Sequence, residues 1–348
     1  MESQTPVGRK ITLNDIAAGC GVSRATVSLV LRGSPLVNKL TRSRVEEELR
    51  RQGYVYNRAA ANLRRRTSSS IALVLNELAN PFFGEFAAGV DETLGEAGFV
   101  TLLGNTSESG ARQRAVLSSL VEHGPGGIIL SPAEGSEARD VLAAVGSHTP
   151  VVLFNRELGG TLPEYAHWDR LMLDNQRGTC LATEHLIAQG HRKIAFFGGH
   201  DDASSTRERH AGYLQAMQAA GLAVAPHWRI QSTPTRMAAA RAAPALFEGE
   251  TTPTAAVCYN DAVALGLMLG LHHCGRQAGR DFAVTGFDDI AEASMSMPSL
   301  TTLSTAPRLR GRQAAHLLLA RLRDPLAPAS TTIAPVELVV RESSCSLS

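Results

Sequence analysis

A short segment near the N-terminus carries the side chains best suited to chemistry with a polyanion. Ser23 and Arg24 stand together, and Ser28 follows about one helical turn later. An arginine near the start of a helix can donate two hydrogen bonds to a base edge in the major groove, whereas serine hydroxyls can bond phosphate oxygens. The segment therefore predicts a DNA-contacting surface, with a small helical bundle that has no DNA role as the alternative.

Three short helices are predicted to position these side chains, at about 13–20, 24–31 and 39–52. Thr12 and Asp15 form a capping box before the first helix, Gly21 supplies the tight turn, and Ser23 caps the second helix. Gly33-Ser34-Pro35 ends that second helix. The apolar residues fall where a three-helix core needs them: Ile16, Val22, Val27, Val30 and Leu31. This is a helix-turn-helix pattern.

The charge of the chain is divided unevenly. Residues 1–70 hold 13 Lys and Arg and 5 Asp and Glu, a net charge of +8, and the remaining residues carry −7, although the whole chain of 348 residues carries only +1. A basic head on an acidic body predicts that the head meets a polyanion. A solvated basic arm is the alternative.

From Ile71 onward, short apolar runs alternate with amphipathic segments. This alternation predicts parallel sheets covered by helices on both faces, and its two series predict two lobes with a ligand cleft at the carboxyl ends of the strands. The strands are predicted at 71–75, 100–103, 127–130, 151–154, 171–173, 193–197, 255–258 and 282–285. The helices are predicted at about 83–97, 110–123, 136–146, 176–189, 206–220, 236–248 and 260–273.

Several classes of protein are disfavoured by the sequence. The five cysteines are scattered without a CxxC pair, which fits reduced thiols in the cytoplasm. No apolar stretch is long enough for a membrane span, and the N-terminus lacks the apolar core of a signal peptide. His272-His273-Cys274 lacks a second ligand cluster, and no nucleophile elbow, P-loop or dinucleotide fingerprint occurs. We therefore expect no cofactor, no metal, no membrane contact and no enzymatic activity.

The run from Thr12 to Ser34 closely resembles the start of regulators of the lactose-repressor (LacI/GalR) family. Landmarks in the body extend the resemblance over nearly the whole chain: Asn80-Pro-Phe-Phe-Gly84, Gly190-His-Arg-Lys-Ile194, Ser205 to Tyr213, Tyr259-Asn260-Asp261 and Gly286-Phe-Asp288-Asp. Leu29 and Arg32 depart from the usual arginine and asparagine, so the operator sequence is not transferable from a relative.

The resemblance implies a multi-domain fold with an all-α helix-turn-helix head and an α/β two-lobed core like that of periplasmic binding proteins. The implied units are the head at 9–56, a hinge helix and linker at 57–69, a first lobe at 70–168 plus 301–331, and a second lobe at 169–300 plus 332–344. Three chain crossings join the lobes, the last two near 299–302 and 330–333. Helix 308–323 returns to the first lobe and a final strand, about 336–340, to the second.

The family resemblance, together with the exposed positions of the head, gives a set of expected DNA contacts. Arg24 and Ala25 occupy the base-reading positions, and Leu63 is the apolar wedge of a hinge that orders when two copies enter the minor groove. Tyr56 and Ala61 depart from the family's usual proline and arginine, and a plain flexible linker is the alternative. The expected contacts are Thr12, Ser23, Arg24, Ala25, Thr26, Ser28, Arg32, Asn57, Leu63 and Arg64.

The resemblance also implies a set of effector-binding residues in the cleft. These are Phe82, Phe83, Asn155, Arg156, Ser205, Arg209, Asn260 and Asp288. Phe82 alternatively packs in the core, Asp288 alternatively caps a turn, and Arg156 alternatively forms a structural salt bridge. If Arg156 contacts the ligand, its charge favours an acidic or phosphorylated sugar.

The predicted function is that of a sequence-specific DNA-binding transcription regulator. We expect a repressor that binds double-stranded operator DNA as a homodimer under the control of a sugar-like small molecule. A ligand-controlled activator of the same architecture is the alternative. An uptake binding protein would have no use for residues 12–66, and an enzyme would need turnover that depends on Arg209 or Asp288. The short stretch after Glu342 cannot supply a heptad helix, so we expect a dimer rather than a tetramer.

Overall fold

The computed structural model describes residues 11–54 and 68–344, and the chain divides into two compact units, Met1–Thr67 and Ser68–Ser348. The first unit contains the predicted head and the second contains the predicted body. Predictions for the hinge residues Asn57, Leu63 and Arg64 lie outside the described residues.

Three helices form the head, as predicted: α1 (Leu13–Cys20), α2 (Arg24–Leu31) and α3 (Lys39–Gln52). Thr12 and Asp15 make the reciprocal bonds of a capping box, and the side chain of Ser23 accepts a hydrogen bond from the backbone nitrogen of Thr26. Gly21 adopts the left-handed conformation (φ 61°) that the turn between α1 and α2 requires. One apolar cluster, which includes Ile16, Val27 and Val45, joins the helices.

The first lobe of the core is built on a six-stranded parallel sheet with the order β11-β5-β4-β3-β1-β2. Alternate residues of β1 pack on opposite faces, since Leu73 belongs to one apolar cluster and Val74 to another. The strands are β1 (Ser70–Leu75), β2 (Val100–Asn105), β3 (Ile128–Leu130), β4 (Val151–Phe154), β5 (Asp169–Leu173) and β11 (Thr331–Ala334). The helices are α4 (Pro81–Glu96), α5 (Gly110–Glu122), α6 (Ala138–Val145) and α12 (Pro307–Arg323).

The second lobe is built on a four-stranded parallel sheet with the order β7-β6-β8-β9. Its strands are β6 (Ile194–Phe197), β7 (Arg229–Ile230), β8 (Ala255–Cys258) and β9 (Ala283–Thr285). Its helices are α7 (Asn175–Ala188), α8 (Ser204–Ala219), α9 (Arg236–Ala242), α10 (Asp261–His273) and α11 (Ala291–Met295). The sequence did not predict β7 or α11, which have only two and five residues.

A separate antiparallel pair lies where the chain returns between the lobes. Its strands are β10 (Thr302–Ser304) and β12 (Glu337–Val339), with Leu303 opposite Leu338. The sequence predicted a final strand here, but it placed neither β10 nor the pairing. Helix α12 packs on α4 of the first lobe, as the predicted crossings require.

The predicted boundaries between the lobes are wrong by about one strand at each of three crossings. The boundary at 300/301 fails because Thr301 and Ser304 form bridges with Thr285 and Asp288 of the second lobe. The boundary at 168/169 fails because β5 pairs with β4 in the first sheet, and the boundary at 331/332 fails because β11 pairs with β5. Asp169 explains this placement physically. Its carboxylate accepts hydrogen bonds from Arg321 of α12 at 2.9 Å and from the backbone nitrogen of Ser330 at 2.8 Å, so it anchors both returning segments to the first lobe.

Helices α4 and α12 touch through two glycines, and this contact gives a stability prediction. A Cβ added at Gly89 would lie 2.0 Å from the carbonyl oxygen of Arg308, and one added at Gly311 would lie 2.1 Å from that of Phe86. We expect Gly89→Ala to lower the free energy of unfolding by about 1–3 kcal/mol in chemical denaturation, because the helices must separate.

The matched control is Gly95→Ala in the same helix. Gly95 is exposed, and a Cβ added there has no neighbour within 4 Å. This substitution should raise the stability by about 0.5–1 kcal/mol, because alanine favours the helix more than glycine does. Equal effects of the two substitutions would contradict close contact between the helices at Gly89.

Candidate DNA-binding head and ligand cleft

The start of helix α2 presents the predicted base-reading residues to solvent. Arg24 and Ala25 are exposed in its first turn. Ser23 precedes them, and its Oγ lies 3.1 Å from the backbone nitrogen of Thr26 and 2.9 Å from the Thr26 hydroxyl. The cap therefore fixes the direction of the helix start and leaves the Arg24 side chain accessible.

The other predicted head contacts are distributed over both ends of the helix pair. The exposed Thr12 hydroxyl donates to Asp15 Oδ2 at 2.7 Å, so its first role is to cap α1. Ser28 and Thr26 are half-buried on α2. Arg32 is exposed at the far end of α2, where its Nε donates to the carbonyl oxygen of Ser28 at 2.9 Å. The described head thus brings Ser23, Arg24, Ala25 and Thr26 together and holds Arg32 apart from them.

A polar cavity lies where the carboxyl ends of strands from both sheets of the core meet. Its empty volume is about 340 Å³, which includes space open to the surrounding solvent. Its lining contains seven of the eight predicted effector-binding residues, the exception being Ser205. The lining residues are Asn76, Glu77, Asn80, Phe82, Phe83, Glu108, Asn155, Arg156, Arg209, Pro234, Tyr259, Asn260 and Asp288.

Two aromatic side chains at the start of α4 form the apolar part of this cavity. Asn80 caps the helix by accepting a hydrogen bond from the backbone nitrogen of Phe82 at 3.1 Å. The rings of Phe82 and Phe83 meet edge to face with centroids 4.8 Å apart, and Phe82 also stacks on Phe154 at 5.9 Å. Phe82 therefore lines the cavity and belongs to the core at once, so the two interpretations of this residue are compatible.

Asn155 offers an unpaired hydrogen-bond acceptor at the end of β4. Its Oδ1 is buried and has no hydrogen-bond partner among the described residues. Its backbone has φ 64°, a left-handed conformation that asparagine tolerates better than most residues. A buried polar oxygen without a partner costs free energy, which a ligand that donates a hydrogen bond would recover.

Arg209 of α8 is held tightly in the wall formed by the second lobe. Its Nε donates to Asn175 Oδ1 at 2.8 Å, and its Nη1 donates to the carbonyl oxygen of Tyr259 at 2.5 Å. The guanidinium lies over the ring of Phe287 with its carbon 3.7 Å from the centroid. Its Nη2 lies 4.0 Å from Asp288 Oδ1, which is too long for a hydrogen bond. Asn175 therefore aims the guanidinium, and its Nη2 side lies next to Asp288.

Asp288 and Asn260 complete that wall. Asp288 follows β9 with φ 128°, and its Oδ2 lies 3.5 Å from Asn80 Nδ2 of the first lobe. Burial raises the pKa of Asp288 to about 8, although the nearby charge of Arg209 opposes the shift. Asn260 caps α10 by accepting from the backbone nitrogen of Val263 at 2.9 Å. Asp288 is therefore more than a turn cap, because its carboxylate meets side chains from both lobes.

Arg156 is fully engaged by the protein, as in the salt-bridge alternative to its predicted contact with an acidic ligand. Nη1 and Nη2 form a two-pronged ion pair with Glu108 at 2.7 and 2.9 Å. The remaining three N–H groups donate to the carbonyl oxygen of Pro132 at 3.1 Å, to Ser205 Oγ at 3.3 Å and to the Tyr259 hydroxyl at 3.1 Å. All five donors of the guanidinium are used, so the salt-bridge interpretation describes the structure.

The sequence predicts that Ser205 contacts the ligand, but the structure places its side chain in hydrogen bonds with other residues of the protein. Ser205 is fully buried and does not line the cavity. Its Oγ lies 3.0 Å from the Tyr259 hydroxyl and receives the hydrogen bond from Arg156, so it supports the wall from behind.

Sequence reasoning missed four lining residues and used two others, Asn80 and Tyr259, only as landmarks. Asn76 follows β1, Glu108 lies shortly after β2 and Tyr259 follows β8, so a search for polar residues just after strands could have found these three. Pro234 and Glu77 carry no comparable signal. In the described part of the chain, no cluster of three or more metal-ligating side chains occurs, and no helix is long and apolar enough to cross a membrane.

The buried carboxyls predict how stability depends on pH. Burial also raises the pKa of Asp261 to about 6. A carboxyl whose pKa is higher in the folded chain binds its proton more tightly there. The stabilisation that comes from Asp288 is therefore fully present below about pH 4 and is lost as the pH rises through 8. Each unit of upward shift corresponds to about 1.4 kcal/mol. We expect the thermal midpoint of the wild type to fall by several degrees between pH 6 and pH 9. The midpoint of the Asp288→Asn variant should fall less over the same range. Parallel profiles for the two proteins would contradict a raised pKa of Asp288.

A helix-turn-helix head and a two-lobed core that encloses a polar cavity define a ligand-responsive regulator that binds DNA. Residues 12–57 match the bacterial regulatory proteins of the lacI family, and residues 183–344 match the periplasmic binding protein-like domain. The chain belongs to the LacI family of bacterial regulatory proteins. It is a DNA-binding transcription regulator with a ligand-binding core, as the sequence predicts.

Individual relatives extend over almost the whole chain. The maltose regulon regulatory protein MalI of Escherichia coli is 31% identical over 95% of this chain and 98% of its own length. The transcriptional repressor PurR of Photobacterium profundum is 30% identical with the same coverage. The structure of the lac repressor dimer bound to operator and the anti-inducer ONPF superposes with a TM-score of 0.84 at 25% identity, covering 97% of this chain and 100% of the repressor. The CelR–cellobiose complex superposes with a TM-score of 0.72 at 30% identity, over 96% and 99%.

Proposed function

We propose that the chain is a repressor that binds a near-palindromic operator as a homodimer. Two heads read the half-sites through Arg24 and Ala25, and the paired hinges enter the minor groove through Leu63. The exposure of Arg24 and Ala25 in the first turn of α2 carries the proposal for base reading. A regulator of this kind acts in the cytoplasm, where the bacterial chromosome lies.

A sugar-like molecule in the cleft is proposed to control this DNA binding. The unpaired Oδ1 of Asn155, buried in a cavity that also contains aromatic rings and the Arg209 guanidinium, carries this part of the proposal. Hydroxyl groups can donate to Asn155 and accept from Arg209, while Phe82 and Phe83 pack against the apolar face of a ring. Because the cavity is lined by both lobes, a ligand there favours one arrangement of the lobes over another, and this difference in affinity is the coupling free energy.

An exposed groove on the second lobe, with apolar side chains beside polar and charged ones, supports the proposed homodimer. Leu265, Met268 and Leu269 of α10 line it together with Met297, whose surface is 96% exposed. Large apolar side chains grouped on a surface are typical of interfaces. A second copy of the chain is the proposed occupant, since a two-fold operator requires two heads.

We also propose revised limits for the structural units. The head extends over 9–56 and the hinge over 57–69. The first lobe comprises 70–173 and 307–334, and the second comprises 174–304 and 335–344. Strand pairing and helix packing support these limits for the lobes.

Selection of genomic DNA fragments by the purified full chain tests the proposed function. Salt is fixed near its physiological level, because phosphate contacts alone give strong but unspecific binding at low salt. We expect enrichment of a symmetric site that Leu63→Ala weakens, and release or tightening of that site by a sugar-like compound related to the neighbouring genes. Enrichment of no sequence, or of a site without two-fold symmetry, would contradict the proposal.

A further inference from the structure

The ion pair between Arg156 and Glu108 forms part of the first-lobe wall of the ligand cavity. Both partners come from the first lobe, Glu108 from the segment after β2 and Arg156 from the end of β4. The side chains are only 3% and 11% exposed, so water screens their charges poorly. Of the three remaining donors of Arg156, one reaches the carbonyl oxygen of Pro132 and two reach Ser205 and Tyr259 of the second lobe. The charge of the buried Arg156 is therefore neutralised by Glu108, and all of its N–H groups have acceptors within the protein.

Glu108 is itself fixed in place by further contacts. Its Oε1 accepts from Asn76 Nδ2 at 2.6 Å, and its Oε2 lies 3.2 Å from the backbone nitrogen of Glu134. Asn76 is in turn held by the Ser131 hydroxyl, which donates to its Oδ1 at 2.7 Å. The carboxylate therefore cannot turn away from Arg156 when a ligand enters without breaking several buried hydrogen bonds.

The charges at this wall determine what a ligand can bring to it. A cavity arginine without a partner attracts phosphate or carboxylate, because its planar donors match their oxygens. Here Glu108 occupies that geometry from within the protein. An anionic group placed against the wall would meet no free donor of Arg156 and would lie close to the Glu108 carboxylate, so its desolvation would go uncompensated.

We propose that Glu108 is a specificity-determining residue, which neutralises Arg156 and so makes the ligand group that faces this wall uncharged. This inference rests on the proposed function of the cleft as the effector site. Glu108 would thereby favour neutral hydroxyl-bearing molecules over sugar acids and sugar phosphates whose charge would face the first lobe. Removing the carboxylate turns the same wall into an anion site.

Inorganic phosphate is the probe that tests this assignment without knowledge of the natural ligand. The thermal midpoint of the full chain is measured against phosphate concentration at pH 7.5 and constant ionic strength. We expect no phosphate-specific rise for the wild type and a rise for Glu108→Gln of about 3 °C at a concentration tenfold above its Kd. Glu108→Ala removes the same charge by truncation and is expected to respond in the same direction, which keeps the test open if the glutamine variant folds poorly.

The double variant Glu108→Gln, Arg156→Met is the matched control, because it retains Arg209 while it removes both charges of the wall. Its response measures phosphate binding elsewhere, including at Arg209, and is subtracted. A wild type that is stabilised as strongly as Glu108→Gln, or two Glu108 variants that do not respond, would overturn the assignment. This outcome is distinct from failure of the proposed function, which the DNA selection decides on the same protein preparations.

Discussion

Replacing Arg24 with alanine is expected to weaken operator binding by roughly 10²–10⁴-fold while leaving the fold intact. A two-pronged contact between arginine and guanine contributes about 1–3 kcal/mol of discrimination, and a homodimer loses two such contacts. Arg24 is exposed in the first turn of α2, so its removal leaves no buried group without a partner. The measurement is a titration of the enriched operator and of a scrambled duplex at one fixed salt concentration.

Arg50→Ala is the control for the loss of charge. Arg50 is also an exposed arginine of the head, but it lies in the last turn of α3, where its Nε donates to the carbonyl oxygen of Glu46 at 3.3 Å. We expect this variant to weaken both duplexes by a similar and smaller factor, since it removes charge without removing a base contact. If Arg24→Ala also weakened both duplexes equally, Arg24 would be a phosphate contact and its assignment to base reading would be wrong.

The second large effect is expected for Arg209→Met. This substitution leaves Asn175 Oδ1, the carbonyl oxygen of Tyr259 and the Asp288 carboxylate buried without their cationic partner. At pH 9, where Asp288 is ionised, breaking a buried pair in this way costs about 3–5 kcal/mol, which lowers the thermal midpoint by roughly 10 °C. Response of operator binding to the effector should be lost as well, because Arg209 lines the cavity.

The pH dependence of this variant separates the ion pair from simple loss of packing. Below pH 8 the Asp288 carboxyl can hold a proton, so the loss of Arg209 should cost less at pH 6 than at pH 9. The double variant Arg209→Met, Asp288→Asn should recover part of the stability, as replacement of both partners removes the unpaired charge. Arg207→Met removes an exposed charge from the same helix and should change the midpoint by less than about 2 °C. Equal losses at both pH values would contradict a role for Asp288 in the effect.

The features that the sequence predicts well are those that depend on neighbouring residues. The capping box of Thr12 and Asp15 and the cap at Ser23 are local, and the structure confirms them. Apolar runs locate most strands of the core within a residue or two. The choice of sheet for β5 is not local, because it depends on the contacts of Asp169 with Arg321 and Ser330, far along the chain. This is why the sequence misplaces the first lobe boundary.

The same distinction applies to the cavity. The sequence resemblance locates its lining at the ends of strands, and seven of the eight predicted residues lie there. It does not reveal that Arg156 faces Glu108, which is 48 positions away, or that Ser205 supports the wall from behind. These contacts depend on the directions in which the side chains point. Those directions are determined only when the two lobes have folded and packed. For this reason the sequence could offer the salt bridge of Arg156 only as an alternative and could not name its partner.

The return of α12 and β11 to the first lobe has a consequence for how the protein is made on the ribosome. Helix α4 gains its partner helix only after residue 323 has been synthesised, and the sheet of that lobe gains its edge strand only after residue 334. At typical elongation rates, about 8–32 s separate the completion of β5 from that of β11. During most of this interval α4 lacks the helix that packs against it at Gly89 and Gly311. A fragment that ends before residue 307 would therefore leave this surface of α4 without its partner helix permanently.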